Sequence, residues 1–164
     1  GHQGFVDFAL LPPSVGEVVA RARAAGVDYR GPLDGGRTTL DGQVLKWQIG
    51  TPPSPDLPFL CGDITPRALR VREGAVRVHA NGVTGVASIT VQVADEAASL
   101  QRYATLLGQA AATGAALKLG ATRLVLRPGP GLQGVVQLGL LGPRAADLPT
   151  ELTQGAAMRI APAA

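Results

Sequence analysis

The apolar positions of the chain fall into two alternating rhythms. Phe5-Val6-Asp7-Phe8-Ala9-Leu10-Leu11 is an apolar run of strand length that Pro12-Pro13 ends. Ser14-Val15-Gly16-Glu17 follows with a capping-box pattern, Ser at the N-cap and Glu three residues on. Val15, Val18, Val19 and Ala22 recur at helical spacing, and Gly26 suits a left-handed C-terminal cap, so residues 14–25 read as an amphipathic helix. Three extended pieces are expected next. Val27-Asp28-Tyr29 is short and is broken by Gly31-Pro32. Asp41-Gly42 is a hairpin turn joining Arg37-Thr38-Thr39 to Val44 through Ile49. After a Pro-rich loop at 51–55, Leu57 through Cys61 resumes as a strand, with Pro58 pointing to an edge or a strand start.

The Arg-rich stretch from Thr65 to Gly85 has neither rhythm and reads as a connector. The order of elements then returns. Val86–Val93 alternates like a strand, and Asp95 is a credible N-cap. Ala97, Leu100, Tyr103, Ala104 and Leu107 make a helical face that Gly108 ends. Leu117–Leu119, Arg123–Leu126 and Val135–Leu141 are strand-like, and Ala157–Ile160 adds a short last strand. The two strand-helix starts, Phe5 and Val86, lie about 80 residues apart, a spacing that suggests a repeated unit. Either half alone would leave a one-sided sheet with a bare apolar face, and pairing the halves would bury both. The expected fold class is therefore α+β: two β-α-β-β-β modules packed as paired, mostly antiparallel, curved sheets with helices outside. One domain would span 1–164, with modules at 5–63 and 86–160 and a connector at 64–85.

Composition narrows the function classes. With 164 residues, 46% hydrophobic and 16% charged, there is ample material for a core, so global disorder is not expected. The charge is +3, carried mostly by scattered Arg; Arg67, Arg70, Arg72 and Arg77 form the densest cluster. Aromatic residues are 4% and none lies in that cluster, so a nucleic-acid surface is not expected. A solvated basic surface is the plain reading of the cluster, and an anion-binding role for part of it is the alternative. Cys61 is the single cysteine, which precludes an internal disulfide or a multi-thiolate zinc site and fits a cytoplasmic setting. No apolar run approaches the roughly 18–20 residues of a membrane span, so no membrane partner is expected. The start, Gly1-His2-Gln3-Gly4, shows no signal-peptide pattern and no initiator Met.

Three stretches carry a resemblance. Phe59, Cys61, Thr65 and Pro66 fit F-x-C-x-x-x-T-P; His79-Ala80-Asn81-Gly82-Val83-Thr84-Gly85-Val86 is similar to H-P-N-G-a-x-G-i; Arg37, Asp41-Gly42 and Trp47 fit R-x-x-x-D-G-x-x-x-x-W. In this order, over roughly residues 4–127, they resemble glyoxalase-like domains of the vicinal-oxygen-chelate superfamily (glyoxalase/bleomycin resistance/dioxygenase). Such proteins usually carry a further N-terminal part with GG-x-H-x-x-x-GT-x-N and YLE motifs. None of these occurs here, so the resemblance implies the C-terminal part of a longer protein or a shortened relative.

The resemblance also implies where a divalent ion would bind: His, Glu or Gln on the first and last strands of each half. Carried over, the positions fall near Asp7, at Phe59 or Cys61, near Ser88 and near Gln137. Asp7 and Gln137 alone do not make a site, and His2 and His79 are the only histidines, so neither a complete metal site nor another cofactor is expected.

Four residues are the ligand-binding candidates. Arg37 could pair with an acid of the fold or grip an anionic substrate. Trp47, alternating with Leu45 and Ile49, could be core or cavity wall. His79 is either a connector histidine bonded to backbone or a pocket acid/base. Asp63, with Thr65, either caps the chain as it leaves the sheet or binds across the sheet mouth. Cys61 reads as a small buried hydrophobe rather than a nucleophile. No catalytic residue is assigned. Three functions compete: a small-molecule binder or metal-independent lyase or isomerase; a non-catalytic C-terminal part of a larger metal-dependent enzyme; and a dimerisation module forming a homodimer without ligand. A deep apolar pocket lined by Arg37, Trp47 and His79 would favour the first, an exposed apolar sheet face or a domain-swapped dimer the second, and a filled cradle the third.

Overall fold

A computed structural model describes residues 3–110 and 116–162, leaving His2 outside the described residues. The chain divides into two compact units. The first comprises Asp7–Glu73 with Gln101–Ala111; the second comprises Gly1–Val6, Gly74–Leu100 and Ala112–Ala164.

In the first unit, β1 (Ala9–Leu10) precedes α1 (Val15–Ala24), β2 (Arg30–Thr38), β3 (Val44–Thr51), β4 (Phe59–Asp63) and α2 (Arg67–Arg70). The sheet order is β1-β4-β3-β2, with β1 parallel to β4 and the other pairs antiparallel. Ser14 caps α1 by accepting the Glu17 N–H at 3.2 Å, and Gly26 follows the helix end at φ +79. Val15, Val18, Val19 and Ala22 are the buried stripe of α1. They reach the sheet because Gly50 and Gly62 present no side chain: a Cβ at 50 would meet Val19 at 3.2 Å, and one at 62 would meet Val15 at 2.8 Å. Burying each such valine stabilises the fold by about 1.5–3 kcal/mol.

Two local expectations change. The apolar run from Phe5 yields only a two-residue strand, and Val6 stays 89% exposed. Gly31-Pro32 does not break the second strand. β2 runs through it with a cis Gly31–Pro32 bond and a register shift between Arg30 and Leu33, a bulge that glycine at φ +118 permits.

The second unit contains β5 (Gly85–Val93), the start of α3 (Glu96–Leu107), β6 (Ala116–Leu119), β7 (Thr122–Pro128), β8 (Gly134–Leu141), β9 (Ala146–Asp147) and β10 (Ala157–Ala161). Asp95 accepts the Ala98 N–H at 2.9 Å, as its place before α3 requires. The strand-helix-three-strand succession recurs, but the pairing does not. The order is β6-β7-β5-β8-β10-β9, so β5 lies between β7 and β8, parallel to the first and antiparallel to the second. The two sheets are mixed, with antiparallel pairs in the majority, and the chain is α+β.

From Gln101 onward α3 belongs to the first unit. Tyr103 is fully buried there, its hydroxyl donating to the Asp56 carbonyl at 2.5 Å, while Tyr29 donates to the Pro58 carbonyl at 2.8 Å. Burial pushes both hydroxyls up, so they remain protonated donors. Arg21 closes the end of α3 by donating to the carbonyls of Thr105 and Leu106, each at 2.8 Å.

Candidate functional site

Side chains alternate across a strand, so the helix contacts of Gly50, Leu60 and Gly62 assign their neighbours to the opposite face of the first sheet. That face carries Ala9 on β1, Phe59, Cys61 and Asp63 on β4, and Ile49 and Trp47 on β3. Phe59, Cys61, Ile49 and Trp47 are each only partly covered, which leaves an apolar strip within reach of solvent.

Asp63 ends this strip. It stands opposite Trp47 in the β3–β4 ladder, and its side chain is 12% exposed. Thr65 ties the departing chain to β3: its hydroxyl accepts the Lys46 N–H at 3.1 Å, and its own N–H donates to the Lys46 carbonyl at 3.1 Å. The chain then turns through α2 (Arg67–Arg70), which places two arginines back on Asp63. Arg67 Nη1 donates to Oδ2 at 3.1 Å; Arg70 donates to Oδ1 through Nε at 2.6 Å and Nη2 at 2.5 Å. Desolvation alone would raise the Asp63 pKa, but the hydrogen bonds and charges of Arg70 and Arg67 together outweigh it and hold the carboxyl below its ordinary value. Arg67 and Arg70 close one side of a pocket of about 190 Å³, whose apolar wall includes Ala9, Leu11, Phe59 and Cys61.

Arg37 lies on β2 opposite Leu45. It lines a separate open groove of about 630 Å³ with Asp34, Thr38, Lys46 and Ile64. Trp47 turns toward β2 and lies over Gly35, its ladder partner: a Cβ at 35 would stand 2.9 Å from the indole Cε2. Trp47 is thus the floor over one glycine rather than a free wall. His79 belongs to the second unit, where it is exposed and its carbonyl accepts the Gly82 N–H at 2.9 Å. Arg37, Trp47 and Asp63 therefore share one sheet, and His79 lies outside that unit. Thr65 and Asp63 act as ties at the sheet end. The arginines that hold Asp63 belong to the basic cluster of the sequence, and spacing does not single them out, because Asp63 ends β4 and only the turn into α2 returns them to it.

The carried-over metal positions do not fit a divalent ion. Asp7 is exposed and accepts the Phe8 N–H at 2.7 Å; partial desolvation raises its pKa, partly offset by that bond. The neighbouring position offers Phe59 or the lone thiol of Cys61. In the second unit, Gln137 stands opposite Thr90, and Ser88 stands opposite Gly139 with its hydroxyl against that glycine. Taken unit by unit, a carboxylate with a lone thiol in the first and a hydroxyl with an amide in the second are each a poor ligand set for a divalent ion. Among the described residues, no three His, Cys, Asp or Glu side chains gather as a metal cluster. Among them too, no helix is long and apolar enough to cross a membrane.

A family model described as a glyoxalase-like domain matches residues 1–107. Among solved structures, the chain is similar to a hypothetical protein from Staphylococcus aureus, with a TM-score of 0.70 at 12% identity over 97% of this chain. It spans 66% of that protein's length, and at this identity the likeness is one of fold. No curated protein matches.

Proposed function

As this chain belongs to the glyoxalase-like domain family, we propose that it binds a small organic molecule on the open face of its four-stranded sheet, without a resident divalent ion. One observation carries the reading: a pocket of about 190 Å³ opens over the apolar side chains of Ala9, Phe59 and Cys61. A partly covered apolar hollow with a few polar groups at its edge is the usual form of a small-molecule site. The donor set at the carried-over ligand positions supports the metal-free part.

The test is a fragment titration followed by protein NMR, with elemental analysis of the same sample purified without chelator or a nickel column. Shifts gathered at Ala9, Phe59 and Cys61 are the expected result. Fragments that bind elsewhere only, or none that bind, would overturn the site. Stoichiometric metal lost in Asp7→Ala or Gln137→Ala would overturn the metal-free part.

A further inference from the structure

The pocket over β4 has a charged side as well as an apolar one, and the charge is of one sign. Resting on the reading of this face as a ligand site, we propose that the pocket takes a small monoanionic carboxylate, gripped by Arg67 and Arg70 with its apolar body against Phe59 and Cys61. Two guanidinium groups face the single carboxylate of Asp63, so these three groups together carry a net charge of +1. Asp63 occupies Arg67 Nη1 and Arg70 Nε and Nη2; the remaining guanidinium N–H groups are not used by it. Planar guanidinium groups suit a carboxylate by their fork geometry. Asp63 also fixes both side chains in advance, which reduces the ordering cost that a ligand would otherwise meet.

Size sets the body of the ligand. The pocket holds about 190 Å³. A cavity of about 150 Å³ accommodates a single benzene ring. A ring or short branched chain carrying one carboxylate therefore fits, and a nucleotide does not. Asp7, the acid closest in sequence to β1, is not among the residues that line the pocket.

Cys61 lines the same pocket and is the only cysteine of the chain, so its alkylation reports occupancy. The probe is benzoate, with benzamide as its neutral counterpart, competing against iodoacetamide on the intact protein. Benzoate is expected to slow alkylation in a saturable way, reaching about tenfold at ten times the half-protecting concentration. Benzamide is expected to give little protection. Arg67→Gln and Arg70→Gln should each raise the half-protecting benzoate concentration about tenfold, with circular dichroism confirming the fold. Arg67 is the safer variant, its side chain being 46% exposed. Equal protection by benzamide would overturn the anion grip while leaving the sheet face as a binding site. Protection by neither would overturn this proposal, and the fragment titration then decides the broader reading by itself. Undiminished benzoate protection in both folded arginine variants would also overturn it.

Discussion

Arg102 Nη2 lies 2.6 Å from Asp56 Oδ2, joining the middle of α3 to a loop 46 residues earlier in the chain. Asp56 is fully buried, and Ser54 donates to its other carboxylate oxygen at 2.6 Å. Removing one partner of such a pair leaves the other charge without its main counterpart in a water-poor site. Arg102→Met should therefore destabilise the protein by about 3 kcal/mol, read from urea unfolding. Tyr103→Phe removes only the hydroxyl that reaches the Asp56 carbonyl and should cost about 1 kcal/mol. Equal, small effects from both would mean that α3 is held by its apolar face alone.

The contact of Trp47 with Gly35 gives a second prediction. Gly35→Ala would place a methyl 2.9 Å from the indole Cε2, so the ring must swing away or the strands must part. Overpacking of this kind costs about 1–3 kcal/mol. Trp47 is the only tryptophan, so its emission should shift to longer wavelength as the ring gains solvent. Unchanged emission and stability would show that the hairpin gives way without moving the ring.

The Asp63 pair predicts a pH dependence. The folded carboxyl has a pKa below its ordinary value of about 3.9, whereas the unfolded chain keeps that value. The pair's contribution to stability is therefore fully present above the unfolded pKa and is lost as pH falls through the lower, folded one. Wild type should exceed Asp63→Asn in denaturation midpoint at pH 6, and the difference should shrink steadily below pH ~4. A difference independent of pH across that range would mean that the side chain acts by packing rather than by charge.

Local signals in the sequence carried the elements further than they carried the pairing. Ser14 before Val15, Gly26 after Ala25 and Asp95 before Glu96 each mark a helix end by chemistry that acts within a few residues. The β5 strand was legible from its alternation, but its insertion between β7 and β8 was not, because alternation states which face a residue takes and not which strand lies beside it. Gly31-Pro32 misled for a related reason: proline lacks a ladder donor, yet a bulge at that point lets the strand continue. On the candidate site, Arg37, Trp47 and Asp63 do share a sheet, while His79 lies in the second unit. Arg67 and Arg70 stood out only as a basic cluster, since their meeting with Asp63 depends on the short turn of α2 after Thr65-Pro66.

Cys61 offers the sharpest test of whether the face over β4 is open. In the ladder it stands opposite Ile49, and on the face away from α1 it lies between Phe59 and Asp63. A larger side chain at a closed core position forces neighbours off their rotamers and costs about 1–3 kcal/mol. At the wall of an open pocket the same chain fills empty space and buries apolar surface at little cost. Cys61→Leu should therefore keep the wild-type melting temperature within about 1 °C, under the shift of roughly 2–4 °C that 1 kcal/mol produces in a chain of this length. It should also abolish any thermal stabilisation by benzoate, because the added carbon atoms occupy the volume that the ring would take. A fall of more than about 5 °C would place Cys61 in a packed core and remove the pocket from consideration.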